Sequence, residues 1–199
     1  MNLANKLTIF RIILVPIMMI IYMFDFKGAL LGIPLTFILI DLIFIIASLT
    51  DKLDGYIARS RNQITTFGKF LDPIADKILV IVAMLILLEA GKIPYWIPAI
   101  VIIREFIVSG YRLVAVERDG NVIAASIWGK IKTATQMIGI SFAIIDMNAF
   151  GEIFTQDLTG FYFIFNLITT TMLGISVLAT IISGVDYLKG CKELFKDSK

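Results

Sequence analysis

Four carboxylates, Asp51, Asp54, Asp72 and Asp76, fall within 26 residues of a chain that is otherwise largely apolar. At about 100° per residue, Asp51, Asp54, Gly55 and Ala58 share one arc of a helix. Asp72 and Asp76 stand one turn apart on a second helix, with Gly68 a turn earlier on the same side. Two such helices joined by a short link can turn four carboxylates toward each other. Carboxylates near a bilayer are costly, about 2.5–3.5 kcal/mol for an Asp at a helix centre. Mutual repulsion adds to that cost, and a divalent cation relieves it. The sequence holds no His and a single cysteine, Cys191. The donors are therefore oxygens, which suits Mg²⁺, Mn²⁺ or Ca²⁺. The same lack of His excludes Ser–His triads and His-ligated zinc. The plainer alternative is that these Asp are solvated residues paired with Lys52, Arg59, Lys69 and Lys77.

The elements that must carry this cluster follow from composition. Of the 199 residues, 58% are hydrophobic and 17% charged, with mean hydropathy +0.90. A soluble domain is about 45–50% apolar and about 25% charged. The pattern predicts one all-α integral membrane domain over 1–199, since a span needs about 20 apolar residues. Six transmembrane helices are expected, near 9–24, 31–50, 71–89, 94–116, 123–147 and 161–187, the last interrupted by Asn166 and a Thr run. The basic start, followed by an apolar stretch without a small-residue cleavage motif, reads as a retained first span. Lys and Arg cluster at the N-terminus, after spans two and four, and in the tail, which places both termini and the Asp cluster in the cytoplasm. A net charge of +2 gives no argument for nucleic acid.

A second group of charges lies in "IPAIVIIREFIVSGYRLVAVERDG" and just beyond it. Arg104 sits deep in an apolar run, where an ionisable residue is a functional candidate by default, although pairing with Glu105 for structure competes with that reading. Arg112, Lys130 and Lys132 lie nearer the cytoplasmic end, and all four cations could hold the phosphate of a small anionic ligand. Lys130 and Lys132 also suit an ordinary positive-inside flank. Asp41, mid-span in "FILIDLIFII", has no assigned role; it could pair with another helix or line a lipid cavity.

"DKLDGYIARSRNQITTFGKFLDPIAD" resembles the signature D-x-x-D-G-x-x-A-R-x8-G-x-x-x-D-x-x-x-D of the CDP-alcohol phosphotransferases, with all eight fixed positions filled. "NKLTIFRI" resembles that family's short amphipathic N-terminal helix. Residues 104–136 resemble the corresponding region of its bacterial phosphatidylglycerophosphate synthase branch. The resemblance implies transfer of a phosphatidyl group from CDP-diacylglycerol to an alcohol, with release of CMP, in a multi-pass protein of the bacterial cell membrane. It implies two Mg²⁺ or Mn²⁺ ions per site held by Asp51, Asp54, Asp72 and Asp76, with Asp76 as general base. It implies a CDP pocket of Asn5, Thr8, Asp54, Gly55, Ala58, Arg59 and Gly68. The 104–136 region makes the acceptor sn-glycerol 3-phosphate, and family analogy suggests a homodimer. Inositol phosphate or serine as acceptor is the nearest alternative. A cation transporter using the Asp cluster as its ion site is the alternative from another class, although transporter sites usually lie nearer the midplane.

Overall fold

A computed structural model describes residues 3–60, 66–119 and 127–196, with side chains for 5–51, 71–111 and 127–188. Its architecture is all-helical apart from one minute hairpin: α1 Leu3–Phe24, β1 Ala29–Leu30, β2 Ile33–Pro34, α2 Leu35–Ser60, α3 Thr66–Glu89, α4 Trp96–Asp119, α5 Ile127–Ile145 and α6 Gly160–Lys196. A single 3₁₀ turn, Glu152–Phe154, interrupts the α5–α6 connection. Each expected segment contains a helix among the described residues, residues 123–126 lying outside them, with three differences that have physical causes.

The first difference is at the N-terminus. The expected separate amphipathic helix is instead the opening of α1, which runs unbroken through Pro16. No Gly, Asn or Pro separates Lys6 from Val15, so nothing stops the helix there. The second lies between α1 and α2, where residues 29–34 form an antiparallel pair with Ala29 opposite Pro34. Leu31 and Gly32 both have positive φ, 55° and 84°. Two such residues in a two-residue loop make the tight turn that suits strand twist. Third, α6 is continuous through Asn166 and the threonines. The Asn166 side chain does not compete with its own helix, because its Nδ2 donates to Asp146 Oδ2 (3.0 Å) and to the Ala149 carbonyl (2.9 Å).

The core is a layer of interlocked apolar side chains from all six helices, including Met18, Phe44, Leu79, Met84, Leu87, Ile97, Ile140 and Leu173. α5 and α6 approach closely at Gly139, where a Cβ would lie 2.9 Å from Leu173 Cδ2 and 3.0 Å from the Leu173 backbone nitrogen. Outward faces are also apolar: Phe10, Ile13, Ile17, Ile20, Leu42, Ile103, Phe106 and Leu178 are exposed. Among the described residues, two helical stretches, Asn5–Phe24 and Gly160–Leu188, are long and apolar enough to cross a membrane. An apolar exterior around an apolar core is what lipid, rather than water, accommodates.

One end of the bundle is tied by polar groups. Lys92, in the α3–α4 link, donates from Nζ to the carbonyls of Ile144 (2.6 Å) and Asp146 (2.7 Å) at the end of α5. Its ammonium also lies 3.8 Å from the centre of the Phe37 ring. A cation at a helix C-terminus satisfies carbonyls that have no partner within the helix. Asn166 Oδ1 accepts from the Ile153 amide (2.9 Å) and Thr170 Oγ1 from the Gly151 amide (3.0 Å), binding the connecting loop to α6. Burial pushes the Lys92 ammonium down to about 8, against the opposing pull of Asp146.

Candidate active site

At the opposite end of the bundle, α1, α2 and α3 converge on acidic side chains. Asp51 lies near the end of α2, and Asp72 and Asp76 lie one turn apart in the first half of α3. Their partners come from α1. Thr8 Oγ1 donates to Asp72 Oδ1 at 2.6 Å. Arg11 is wholly buried, and its NH1 group reaches Asp51 Oδ1 at 3.1 Å. The same nitrogen donates to Asp76 Oδ1. Thr8 and Arg11 are three apart and therefore share one face of α1. That spacing sets two donors against three carboxylates on two other helices.

Asp51 and Asp76 are thus brought together, and Asp72 is oriented one turn away. Among the described residues no group of three acidic, His or Cys side chains closes on a single metal-sized point. The side chains of Asp54, Gly55, Ala58, Arg59 and Gly68 lie outside the described residues, as does that of Arg112. Asn5 is buried and Thr8 almost fully so, on the turn of α1 that meets α3.

A cavity of about 850 Å³ opens beside the carboxylates. Asp51 and Asp76 line one side of it, and Lys77, Arg104, Glu105, Ser109 and Lys132 line another. The cationic wall is assembled from four helices. Lys132 Nζ meets Glu105 Oε1 at 2.7 Å, and Arg104 NH1 meets the same oxygen at 2.8 Å. Arg104 NH2 donates to Ser183 Oγ on α6 at 2.6 Å, and its guanidinium carbon lies 5.7 Å from the Tyr187 ring centre. Lys77, adjacent to Asp76 on α3, donates to Ser109 Oγ on α4. Of the cations expected to hold a phosphate, Arg104 and Lys132 therefore meet.

Lys130 does not join them. It is exposed and lines a separate, mostly apolar cavity of about 630 Å³ between α2 and α5. Two residues apart on a helix means opposite faces, so Lys130 and Lys132 could not both point into one site. The α2–α5 cavity shares Asp51, Gly129, Thr133 and Met137 with the larger one. From Lys130 to Phe142 it follows α5 for roughly 18 Å. Asp41 lies outside both cavities, buried, with Oδ1 accepting from Ser141 Oγ at 2.7 Å.

The fold adds Arg11 to the carboxylates and Lys77 to the cationic wall. Arg11 reads as a positive-inside flank, and only the fold carries it to Asp51. Lys77 had a local signal, since it follows Asp76 directly and precedes an apolar run.

Carboxylates held by Arg11 and Thr8 thus stand beside a cavity lined by Lys77, Arg104 and Lys132, at one end of a helical bundle with an apolar exterior. The CDP-alcohol phosphatidyltransferase family model matches residues 1–182, and the chain belongs to that family. Among curated relatives, a Bacillus subtilis protein is 41% identical over 202 residues, covering 99% of this chain and 98% of the relative. A Rickettsia bellii protein is 38% identical over 199 residues, with 98% and 97% covered. A Haemophilus influenzae protein is 40% identical over 156 residues, with 76% and 80% covered. Each of the three carries the name CDP-diacylglycerol–glycerol-3-phosphate 3-phosphatidyltransferase.

Proposed function

We propose that the chain transfers the phosphatidyl group of CDP-diacylglycerol to sn-glycerol 3-phosphate, giving phosphatidylglycerophosphate and CMP. The observation that carries this reading is the single cavity lined by Asp51 and Asp76 on one side and by Arg104 and Lys132 on the other. A phosphate monoester carries about −1.5 to −2 charges at neutral pH, so cationic donors suit it. The names of the relatives support the same acceptor.

In this reading Lys132 and Arg104 hold the acceptor phosphate, which turns the glycerol hydroxyl toward Asp76. The hydroxyl oxygen attacks the phosphatidyl phosphorus, and the bond from that phosphorus to the bridging oxygen of the pyrophosphate breaks. CMP leaves with the bridging oxygen, and the hydroxyl proton passes to the Asp76 carboxylate. Asp51, Asp54, Asp72 and Asp76 would hold two Mg²⁺ or Mn²⁺ ions; the donor set fits, being all hard oxygen, and a cationic nitrogen already lies against Asp51 and Asp76. Such ions, when bound, supply charge neutralisation on the pyrophosphate and the leaving phosphate. Asn5, Thr8, Asp54, Gly55, Ala58, Arg59 and Gly68 would surround the CDP, with Arg112 a further cation for the acceptor. The apolar α2–α5 cavity would receive lipid chains, and Lys130 at its mouth would meet the headgroup region rather than the acceptor. All six helices would span the bilayer with both termini and the site on the cytoplasmic side, in a homodimer.

Purified protein supplied with CDP-diacylglycerol, Mg²⁺ and labelled glycerol 3-phosphate should release CMP and form labelled lipid. No CMP release would overturn the enzyme reading, and release only with inositol phosphate or serine would overturn the acceptor. Asp76→Asn should abolish turnover while sparing donor binding; retained turnover would remove Asp76 as the base.

A further inference from the structure

Glu105 stands where a carboxylate is least expected. It lines the cationic wall of the larger cavity, and its Oε1 lies 2.7 Å from Lys132 Nζ and 2.8 Å from Arg104 NH1. An anion beside an anion-binding site lowers its attraction for phosphate unless the anion does something else. Here it joins two cations on different helices through one oxygen atom. Ser109, one turn along α4, donates to the Glu105 carbonyl and accepts from Lys77, so the third cation is placed by the same turn of helix. Arg104 is held on its far side by Ser183.

We propose that Glu105 is a positioning residue that sets the spacing of Arg104 and Lys132 for a doubly charged phosphate monoester. The inference rests on the acceptor site described above and adds how that site chooses its ligand. Without the shared oxygen, Arg104 and Lys132 repel and swing apart on flexible stems. With it, the two charged groups are fixed on either side of one atom, and ordering them is not left to the incoming substrate. Three cations and one carboxylate leave this wall positive, although Asp51 and Asp76 line the same cavity, and a positive wall suits a monoester dianion. Glu105 thereby sets the geometry of the wall, while Asp76 and its neighbours deal with the reacting phosphorus.

Positioning and plain charge neutralisation predict opposite signs. If Glu105 only offsets buried cations, Glu105→Gln leaves a more positive wall and phosphate binds more tightly. If it positions them, the same variant binds phosphate more weakly despite the added charge. The full-length protein is purified as wild type, Glu105→Gln, Glu105→Asp and Ser183→Ala. The expected result for Glu105→Gln is a rise of about tenfold or more in the KM for glycerol 3-phosphate, with the KM for CDP-diacylglycerol within about twofold. Glu105→Asp should recover part of the loss, and Ser183→Ala, which frees Arg104 on its other side, should shift the acceptor KM the same way by about threefold. Inorganic phosphate is titrated separately, without donor, and read as a thermal shift. That arm does not depend on turnover. A phosphate-induced shift seen in wild type and lost in Glu105→Gln supports positioning even if the wild type fails to use glycerol 3-phosphate, in which case the acceptor assignment alone falls. An unchanged or lowered acceptor KM, or an unchanged phosphate response, in Glu105→Gln overturns the proposal. Should Glu105→Gln fail to fold, Ser183→Ala decides: an unchanged acceptor KM overturns it equally.

Discussion

Arg11→Met tests how far α1 organises the carboxylates. The guanidinium is wholly buried, while Asp51 and Asp76 retain 31% and 39% exposure. One nitrogen reaches both, so their near oxygens are at most about 6 Å apart. At an effective dielectric constant of about 20, two unit charges at that distance repel by about 3 kcal/mol. Removing one partner of a fully buried ion pair costs about 3–5 kcal/mol, but here water can reach the two carboxylates and screens part of the effect. A loss of about 2–3 kcal/mol is therefore expected in EDTA. For a chain of this length it corresponds to a fall in Tm of about 5–10 °C. Trp96 and Trp128 provide the fluorescence signal for thermal unfolding in detergent. Arg11→Lys, which keeps the charge without the planar fork, should fall between the two. Added Mg²⁺ should raise the Tm of Arg11→Met more than that of the wild type, because the carboxylates then have most to gain. A Tm for Arg11→Met within about 2 °C of wild type in EDTA would refute the reasoning.

Gly139→Ala should lower Tm by about 3–6 °C: the added Cβ meets the Leu173 backbone nitrogen at 3.0 Å, and the resulting strain exceeds the roughly 1 kcal/mol of helix propensity gained. An unchanged or higher Tm would mean that α5 and α6 separate without cost. Lys92 titrates lower in the folded chain than the 10.5 of a free lysine, at about 8. Between those values the unfolded chain keeps a proton that the folded chain has shed, so this residue makes stability rise with pH, by up to about 1.4 kcal/mol per unit. Lys92→Met should remove that contribution, and the Tm of wild type should gain on the variant between pH 8 and 10; parallel curves would contradict it. Asp41→Asn keeps an acceptor for Ser141 and lies ten residues, or about 15 Å, along α2 from Asp51. It should leave CMP release within about twofold, and a tenfold loss would bring Asp41 into the site.

Much of the helical layout is legible in the sequence, because each helix is a long apolar run bounded by Gly, Pro or charge. What escapes it is settled by contacts between distant residues. Asn166 looks like a helix breaker until the loop at 146–153 occupies its amide. The hairpin at 29–34 is too short for any periodicity, and its turn places Leu31, a poor candidate for positive φ, beside Gly32. In the site, Asp51, Asp72 and Asp76 are legible as a set because their spacing puts them on helix faces. Arg11 is not, since the contact that matters spans 65 residues to Asp76. Ser141 is likewise 100 residues from Asp41. The division between Lys130 and Lys132 was available from spacing alone, because two residues on a helix cannot share a face.

The tie around Lys92 makes the bundle mechanically uneven. The end of α5, the 90–95 link, the loop at 146–153 and α6 are joined there by hydrogen bonds, while Lys132, Glu105 and Tyr187 of the larger cavity lie away from it along the same helices. A rod held at one end swings most at the other. A tilt of about 5° over the roughly 28 Å of α5 would move its far end by about 2.5 Å. That is enough to widen the cavity beside Lys132 while Ile144 and Phe37 stay packed. A pivot of that kind would leave the tied end fixed and would have to stretch the Lys132–Glu105 contact, at 2.7 Å, first.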